Sequence, residues 1–275
     1  MDFGREKFKD RAAEWQRKSS YAQRNILRRG EYVDVVEYKI PAAADSVRGK
    51  KLLWFSDLHF RKFLETDALV IAESSEFIND LLPEYIVYGG DIVTYSSGLP
   101  PVRTFLQSLP EKSVKLAILG NWEYGKRWLK SQDWKKFFES SGFELLVNKA
   151  RDFDGIYFYG TDELRKGHPA PPANIPENKE VVILAHSPDA FIHISDPETL
   201  SRTNLVICGH THGGQVRFPF FGALLTSSRY WRKFDYGLFE HSGKESSMIV
   251  SAGMGCSSIP VRIACRRELV LISFI

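Results

Sequence analysis

Five short apolar runs constrain this chain more than any other feature: KLLWFSD (51–57), YIVYGGD (85–91), VKLAILGN (114–121), VVILAHS (181–187) and NLVICGH (204–210). Each has the length of a strand buried on both faces, and each ends in Asp, Asn or His beside a small turn residue. Segments with helical spacing separate the first three, at 67–82 and 102–109, and 127–141 reads as a helix stopped by Gly142. Strand, helix, strand order predicts an α/β sheet whose working loops gather at the carboxyl ends of its strands. The later runs IYFYG (156–160), SSMIVSAG (246–253) and ELVLISF (268–274) have fewer helices between them. They predict a second, mixed or antiparallel sheet packed on the first, with helices outside both. EYVDVVEYKI (31–40) is expected as an edge strand, and 165–179, with four prolines, as a surface loop.

The strand-end residues form a set: Asp57 and His59 in SDLH, Asp91 in GGD, Asn121 in GNWE, His186 in AHS, then His210 and His212 in GHTH. A lone histidine after a strand is usually a hydrogen-bonded structural residue, and His168, His193 and His241 are read that way. Seven oxygen and nitrogen donors on five successive loops call for another explanation. Such a set suits two divalent cations about 3.5–4 Å apart that share one carboxylate and clamp an in-line displacement at phosphorus. Imidazole, carboxylate and amide donors without a thiolate favour Mn, with Fe or Zn as alternatives. On extended chain, the D-x-H and H-x-H spacings would point both side chains of a pair the same way.

In this order, D-x-H, G-D, G-N-x-E, H and G-H-x-H resemble the motifs of the calcineurin-like metallophosphoesterases, over roughly residues 50–275. The resemblance implies a four-layer α/β/β/α sandwich and a phosphoester substrate attacked by activated hydroxide. By it, Asp57, His59 and His212 hold one metal, Asn121, His186 and His210 the other, and Asp91 bridges. GHTHGGQVRFPFFGAL and SSIPVRIACRRELVLISF are similar to the bacterial branch of YaeI- and YkuE-type phosphodiesterases. The sequence departs from the family at Trp122, where the family has a histidine thought to protonate the leaving oxygen. An indole can neither accept a proton nor ligate a metal.

A nucleoside monophosphate leaving a pyrophosphate is already a stable anion, so it needs little help from an acid. Family members that split UDP-2,3-diacylglucosamine in lipid A synthesis likewise lack the histidine. A lipid-linked or sugar-nucleotide pyrophosphate is therefore the favoured substrate, with Trp122 stacking on a base or covering an acyl chain. A general phosphodiesterase or phosphomonoesterase is the alternative, as is a metal-binding scaffold without turnover. Glu123 is expected to orient a ligand histidine or to sit in a plain surface turn. Asp162 is a substrate-contact candidate by position alone, and Cys208 reads as a small buried hydrophobe.

Charge narrows the partners. The chain of 275 residues carries +3, but residues 1–30 carry +5 and residues 31–275 carry −2. The second figure argues against a nucleic-acid partner, which needs a basic track. The division expected is a basic amphipathic arm (1–30) and a metallophosphoesterase domain (31–275). In the arm, Phe8, Ala12 and Trp15 would share one helix face, suited to an anionic membrane surface or to loose packing on the domain. RFPFFGALLTSSRYWRKF (217–234) offers a membrane-facing lip or an ordinary packed loop, with Arg217 and Arg229 expected to meet phosphates. No apolar run is long enough to span a bilayer, and no secretory signal is visible. Three cysteines at no metal-like spacing suit a reducing compartment. The expected location is the cytoplasm, free or peripheral on the inner face of the cytoplasmic membrane.

Overall fold

The computed structural model describes residues 3–18, 24–125, 133–218 and 221–275. In chain order these form α1 (Phe3–Ala13), β1 (Trp15–Arg17), β2 (Arg24–Arg29), β3 (Val33–Ile40), β4 (Lys51–Phe55), α2 (Glu65–Leu81), β5 (Tyr85–Tyr88) and α3 (Leu99–Gln107). β6 (Val114–Ala117), α4 (Asn121–Gly125), α5 (Trp134–Glu139), β7 (Glu144–Leu145), β8 (Lys149–Phe153), β9 (Ile156–Gly160), β10 (Glu180–Ala185) and α6 (Pro188–Ile194) follow. The remainder is α7 (Pro197–Arg202), β11 (Leu205–Cys208), β12 (Arg217–Phe218), β13 (Gly222–Ala223), β14 (Gly237–His241), β15 (Ser247–Val250) and β16 (Arg267–Phe274). One sheet runs β2-β3-β16-β4-β5-β6-β7 and the other β1-β14-β15-β11-β10-β9-β8, while β12 and β13 form a separate hairpin.

Period-two alternation explains the layers, because each inner strand feeds two cores. In β4, Leu52 and Trp54 enter the apolar layer between the sheets, whereas Leu53 and Phe55 face the layer under α2 and α3. In β10 and β11, Val182, Leu184, Leu205 and Ile207 point between the sheets, and Val181, Ile183, Val206 and Cys208 face the layer that holds α6. The result is an α/β/β/α sandwich with three apolar layers. Burial of each such aliphatic side chain contributes about 1.5–3 kcal/mol. β4, β5 and β6 are parallel, as are β10 and β11, so their carboxyl ends and the loops beyond them gather where the sandwich opens.

Pairing partners differ from the sequence expectation in three places. β3 is not an edge strand: β16 pairs parallel on one side, and on the other the Arg24–Arg29 segment adds itself antiparallel as β2 and takes the edge. β16 joins the first sheet, antiparallel to β4, and not the second. The N-terminal segment contributes an edge strand to each sheet, and Trp15 lies in β1, not on the face of α1. Its buried indole meets Phe191 and His241 edge-on at 5.8 and 5.3 Å, and Ala12 is buried beside it. The helix expected over 127–141 is described only as α5, with Asp133 accepting the Lys136 N–H as its cap; 126–132, Tyr21 and Phe220 lie outside the described residues. No described helix is long and apolar enough to cross a membrane.

Glu180 opens β10 fully buried, and its Oε2 accepts the Ala43 N–H at 2.6 Å while Oε1 has no partner among the described residues. Burial raises its pKa from 4.5 to about 7. The folded chain keeps a proton that the unfolded chain releases, so stability falls by ~3 kcal/mol as pH rises through that interval. Glu180→Gln should flatten the decline of Tm between pH 5 and pH 8, measured by thermal unfolding. An equal decline in the variant would show that Glu180 is not its source.

Candidate metal centre

The donors meet at the carboxyl ends of the inner strands. Asp57 and His59 follow β4, Asp91 follows β5, Asn121 opens α4 after β6, His186 follows β10, and His210 and His212 follow β11. Asp57, His59 and His212 form one buried triad and Asp91, His186 and His210 another, with ligand atoms in each within 4.8 Å of one another. Asn121 Oδ1 lies 3.3 Å from His186 Nε2 and joins the second group. Asp91 Oδ2 stands between them, 3.4 Å from His59 Nε2 and 3.5 Å from His186 Nε2.

Five of these residues have left-handed backbone: Asp57 (φ 54°), His59 (44°), Asp91 (60°), His210 (70°) and His212 (53°). Such conformations cost about 1–3 kcal/mol each for a non-glycine residue. The D-x-H and H-x-H side chains therefore do not converge through extended chain. They converge because each strand breaks into left-handed turns at its end. Cross-loop hydrogen bonds hold the turns: Asp57 N–H to Gly90 O (2.9 Å), His59 N–H to Asp91 O (3.0 Å) and Gly209 N–H to His186 O (3.0 Å). The two sheets are joined directly where the His210 N–H donates to the Asp57 carboxylate at 3.0–3.1 Å. The glycines leave room for this: a Cβ on Gly209 would lie 2.3 Å from Asp57 Oδ2, and one on Gly120 2.2 Å from Asp91 Oδ1.

The donor set fits a cation pair. His59 Nε2 and His212 Nε2 are 3.2 Å apart, and His186 Nε2 and His210 Nδ1 are 3.0 Å apart. Donors held about 2.0–2.2 Å from one ion are separated by ~3.0–3.5 Å, so these spacings match shared coordination. Burial lowers His59 to about 4, His212 to about 3 and His210 well below its ordinary value, so each presents a lone pair at neutral pH. His186 behaves oppositely. Burial opposes its charge, but Asp91 and then Asp57 outweigh that and raise it to about 10, so a cation held here would displace the Nε2 proton. Its Nδ1 lies 2.8 Å from Gly89 O, which fixes the ring and turns Nε2 towards the centre.

Around the donors the structure reassigns several residues. Among the described residues Glu123 makes no hydrogen bond to a histidine; its buried carboxylate accepts the backbone N–H groups of Asp91, Ile92 and Gly120 at 2.7–2.9 Å, tying the β5 and β6 loops together. Burial and the neighbouring Asp91 raise its pKa to about 7. Asp162 accepts from Tyr124 Oη and from the N–H groups of Glu163 and His168, so it organises its own loop. Arg217 donates to Gly213 O at 2.7 Å and Asp235 at 2.9 Å, bracing the base of the H-x-H loop. Arg229 borders a different cavity, of about 870 Å³, with Phe8, His193 and Trp231.

Trp122 donates its N–H to Asp91 Oδ1 at 2.8 Å and sets its ring edge-on to His59, with centroids 4.7 Å apart. It lines a cleft of about 350 Å³ with Arg61, Phe63, Tyr95 and Pro260. Arg61 and Arg262 were not singled out from sequence. Arg61 is buried, held by Cys256 O, and Arg262 donates to Ala252 O at 2.7 Å with a guanidinium nitrogen 3.5 Å from His212 Nδ1. Both put positive charge beside His59. Only the position of Arg61, two residues after His59, could have flagged it.

Glu123→Gln removes the charge and turns an amide N–H towards backbone donors, so the two loops should loosen. Apparent Mn²⁺ affinity is expected to fall about 10–100-fold in calorimetric titration, with the fold retained by circular dichroism. Unchanged affinity would show that the loops hold their form without the clamp.

Comparison with known proteins agrees with this geometry. The calcineurin-like phosphoesterase pattern matches residues 50–214, which include all seven donors. The chain is 27% identical over 235 residues to the metallophosphoesterase YkuE of Bacillus subtilis, covering 81% of this chain and 78% of that one. It is 26% identical over 256 residues to the phosphodiesterase YaeI of Escherichia coli, covering 89% of each. The family acts through divalent metals, for which the two triads are the candidate sites. The chain belongs to the calcineurin-like phosphoesterase family and is a phosphoester hydrolase.

Proposed function

We propose that the chain hydrolyses a phosphodiester or pyrophosphate whose leaving group departs as an anion without being protonated. The favoured class is a lipid-linked or sugar-nucleotide pyrophosphate, of which UDP-2,3-diacylglucosamine is the concrete example. The observation that carries the reading is Trp122. It occupies the position of the family's histidine, stands edge-on to His59, and has no group that gives up a proton to an oxygen leaving phosphorus as a poor anion. The phosphodiesterase name of YaeI supports the diester side of the reading.

In this account Asp57, His59 and His212 would hold one divalent cation, Asn121, His186 and His210 a second, and Asp91 both. Mn is favoured, with Fe or Zn possible for the same donors. Bound there, the pair would supply Lewis acidity that makes water nucleophilic near neutral pH and offsets charge on the phosphoryl oxygens. The protein's own groups do the rest. Glu123 and the cross-loop hydrogen bonds keep the donors preorganised, so little rearrangement accompanies the reaction. Trp122, Phe63 and Tyr95 give the cleft an apolar wall for the part of the substrate that does not react, and Arg61 lays positive charge along its floor.

A comparison of substrates tests this. With Mn²⁺ present, bis-p-nitrophenyl phosphate should be turned over about 10²–10⁴-fold faster than an alkyl phosphomonoester, because only the second needs an acid. Trp122→His should raise the rate on the alkyl ester. Equal rates on the two esters, or a variant that leaves the alkyl rate unchanged, would mean that proton donation is not what Trp122 withholds.

A further inference from the structure

We infer that two interleaved loops beside His212, their described residues 215–218, 221–225 and 257–263, form the surface by which the protein sits on an anionic lipid bilayer. The inference deepens the lipid-linked reading of the substrate and rests on that reading for its purpose, though not for its observations. Among the described residues, fourteen large apolar side chains are exposed, and seven of them lie on these two loops. Phe221 and Leu225 are each 70% exposed, Ile259 65%, Leu224 54%, Phe218 50% and Val261 45%. Hydrogen bonds make the loops one ridge: Gln215 Nε2 donates to Ile259 O at 2.7 Å, the Ile263 N–H to Gln215 O and the Arg217 N–H to Ile263 O at 3.0 Å. Leu224, Leu225 and Ile259 border a cavity of about 390 Å³ that His212 also lines, so the ridge adjoins the metal centre. Contiguous exposed apolar surface of this kind marks an interaction site.

Charge selects the occupant. Of the cations on and beside these loops, Arg217 pairs with Asp235, Arg266 with Asp34, and Arg262 turns inward onto Ala252 O, so the charge offered outward comes from the 229–233 stretch. Arg229 and Arg232 are exposed next to Trp231, which is itself 58% exposed. Apolar tips bounded by cations match a bilayer whose apolar interior is bounded by anionic head groups. A symmetric pair of chains meeting through the ridge would instead set these cations against each other. In the N-terminal segment, Ala12 and Trp15, two of the three residues expected to face a membrane, are instead buried in the domain.

The test is co-sedimentation of the full chain with vesicles of phosphatidylcholine alone and of phosphatidylcholine with phosphatidylglycerol. Binding is expected to the second and to weaken with added salt. Phe218→Ser, Phe221→Ser and Val261→Ser combined should reduce partitioning about tenfold or more, and Arg232→Gln should lower the preference for anionic vesicles. Hydrolysis of soluble bis-p-nitrophenyl phosphate, followed in parallel, keeps the two readings separable. Wild-type protein that binds vesicles but hydrolyses nothing leaves the ridge standing and removes the reaction. Protein that hydrolyses but binds neither vesicle, or a triple variant that binds as well as wild type, overturns the ridge as a membrane surface. A dimer in solution that the triple variant abolishes, without vesicle binding, would assign the ridge to a second copy and overturn the inference equally.

Discussion

The carboxylate of Asp91 is the point on which the site depends. It lies within 3.5 Å of imidazoles from both triads, and it is buried where an unbalanced charge would be costly. His186 balances it in the absence of other charge, and the backbone N–H of Trp122 supplies a hydrogen bond to its second oxygen. Its backbone is left-handed and is fixed from both sides, by Glu123 at the N–H and by His59 at the carbonyl. Movement of this one residue would separate the two triads. Much of the nearby structure, from the glycine at 120 to the clamp at 123, keeps it in place.

Seen this way, the two sheets have different tasks. The first carries Asp57, His59, Asp91 and Asn121, the acidic and amide share of the donors together with one imidazole. The second carries His186, His210 and His212. The Asp57–His210 link joins the halves, so the centre forms only when the sandwich packs in register. The apolar layer between the sheets, with Trp54, Val182, Leu184 and Ile207 buried in it, therefore supports the geometry of the site as well as the stability of the fold.

Much of this was legible in the sequence. Short apolar runs ending beside small turn residues marked the inner strands, and the polar residues at their ends marked the loops that meet. What was not legible is non-local. Nothing in ELVLISF says that β16 pairs with β3 and β4, since its alternation suits either sheet equally. Trp15 looked like one position on a helix face because periodicity cannot show that β14 lies waiting to pair with its segment. The left-handed turns at Asp57, His59, His210 and His212 were hidden for a related reason: side chains alone do not announce a backbone strained by its neighbours. Arg61 and Arg262 were passed over because arginines are ordinarily on the surface, and only packing shows these two turned inward.

The central claim is that seven side chains from both sheets hold two cations through one shared carboxylate. Anomalous diffraction from crystals grown with Mn²⁺ addresses it most directly. The account predicts two ions about 3.5–4 Å apart, both in contact with Asp91, with Asp57, His59 and His212 on one and Asn121, His186 and His210 on the other. A single ion, or ions bound away from Asp91, would contradict it.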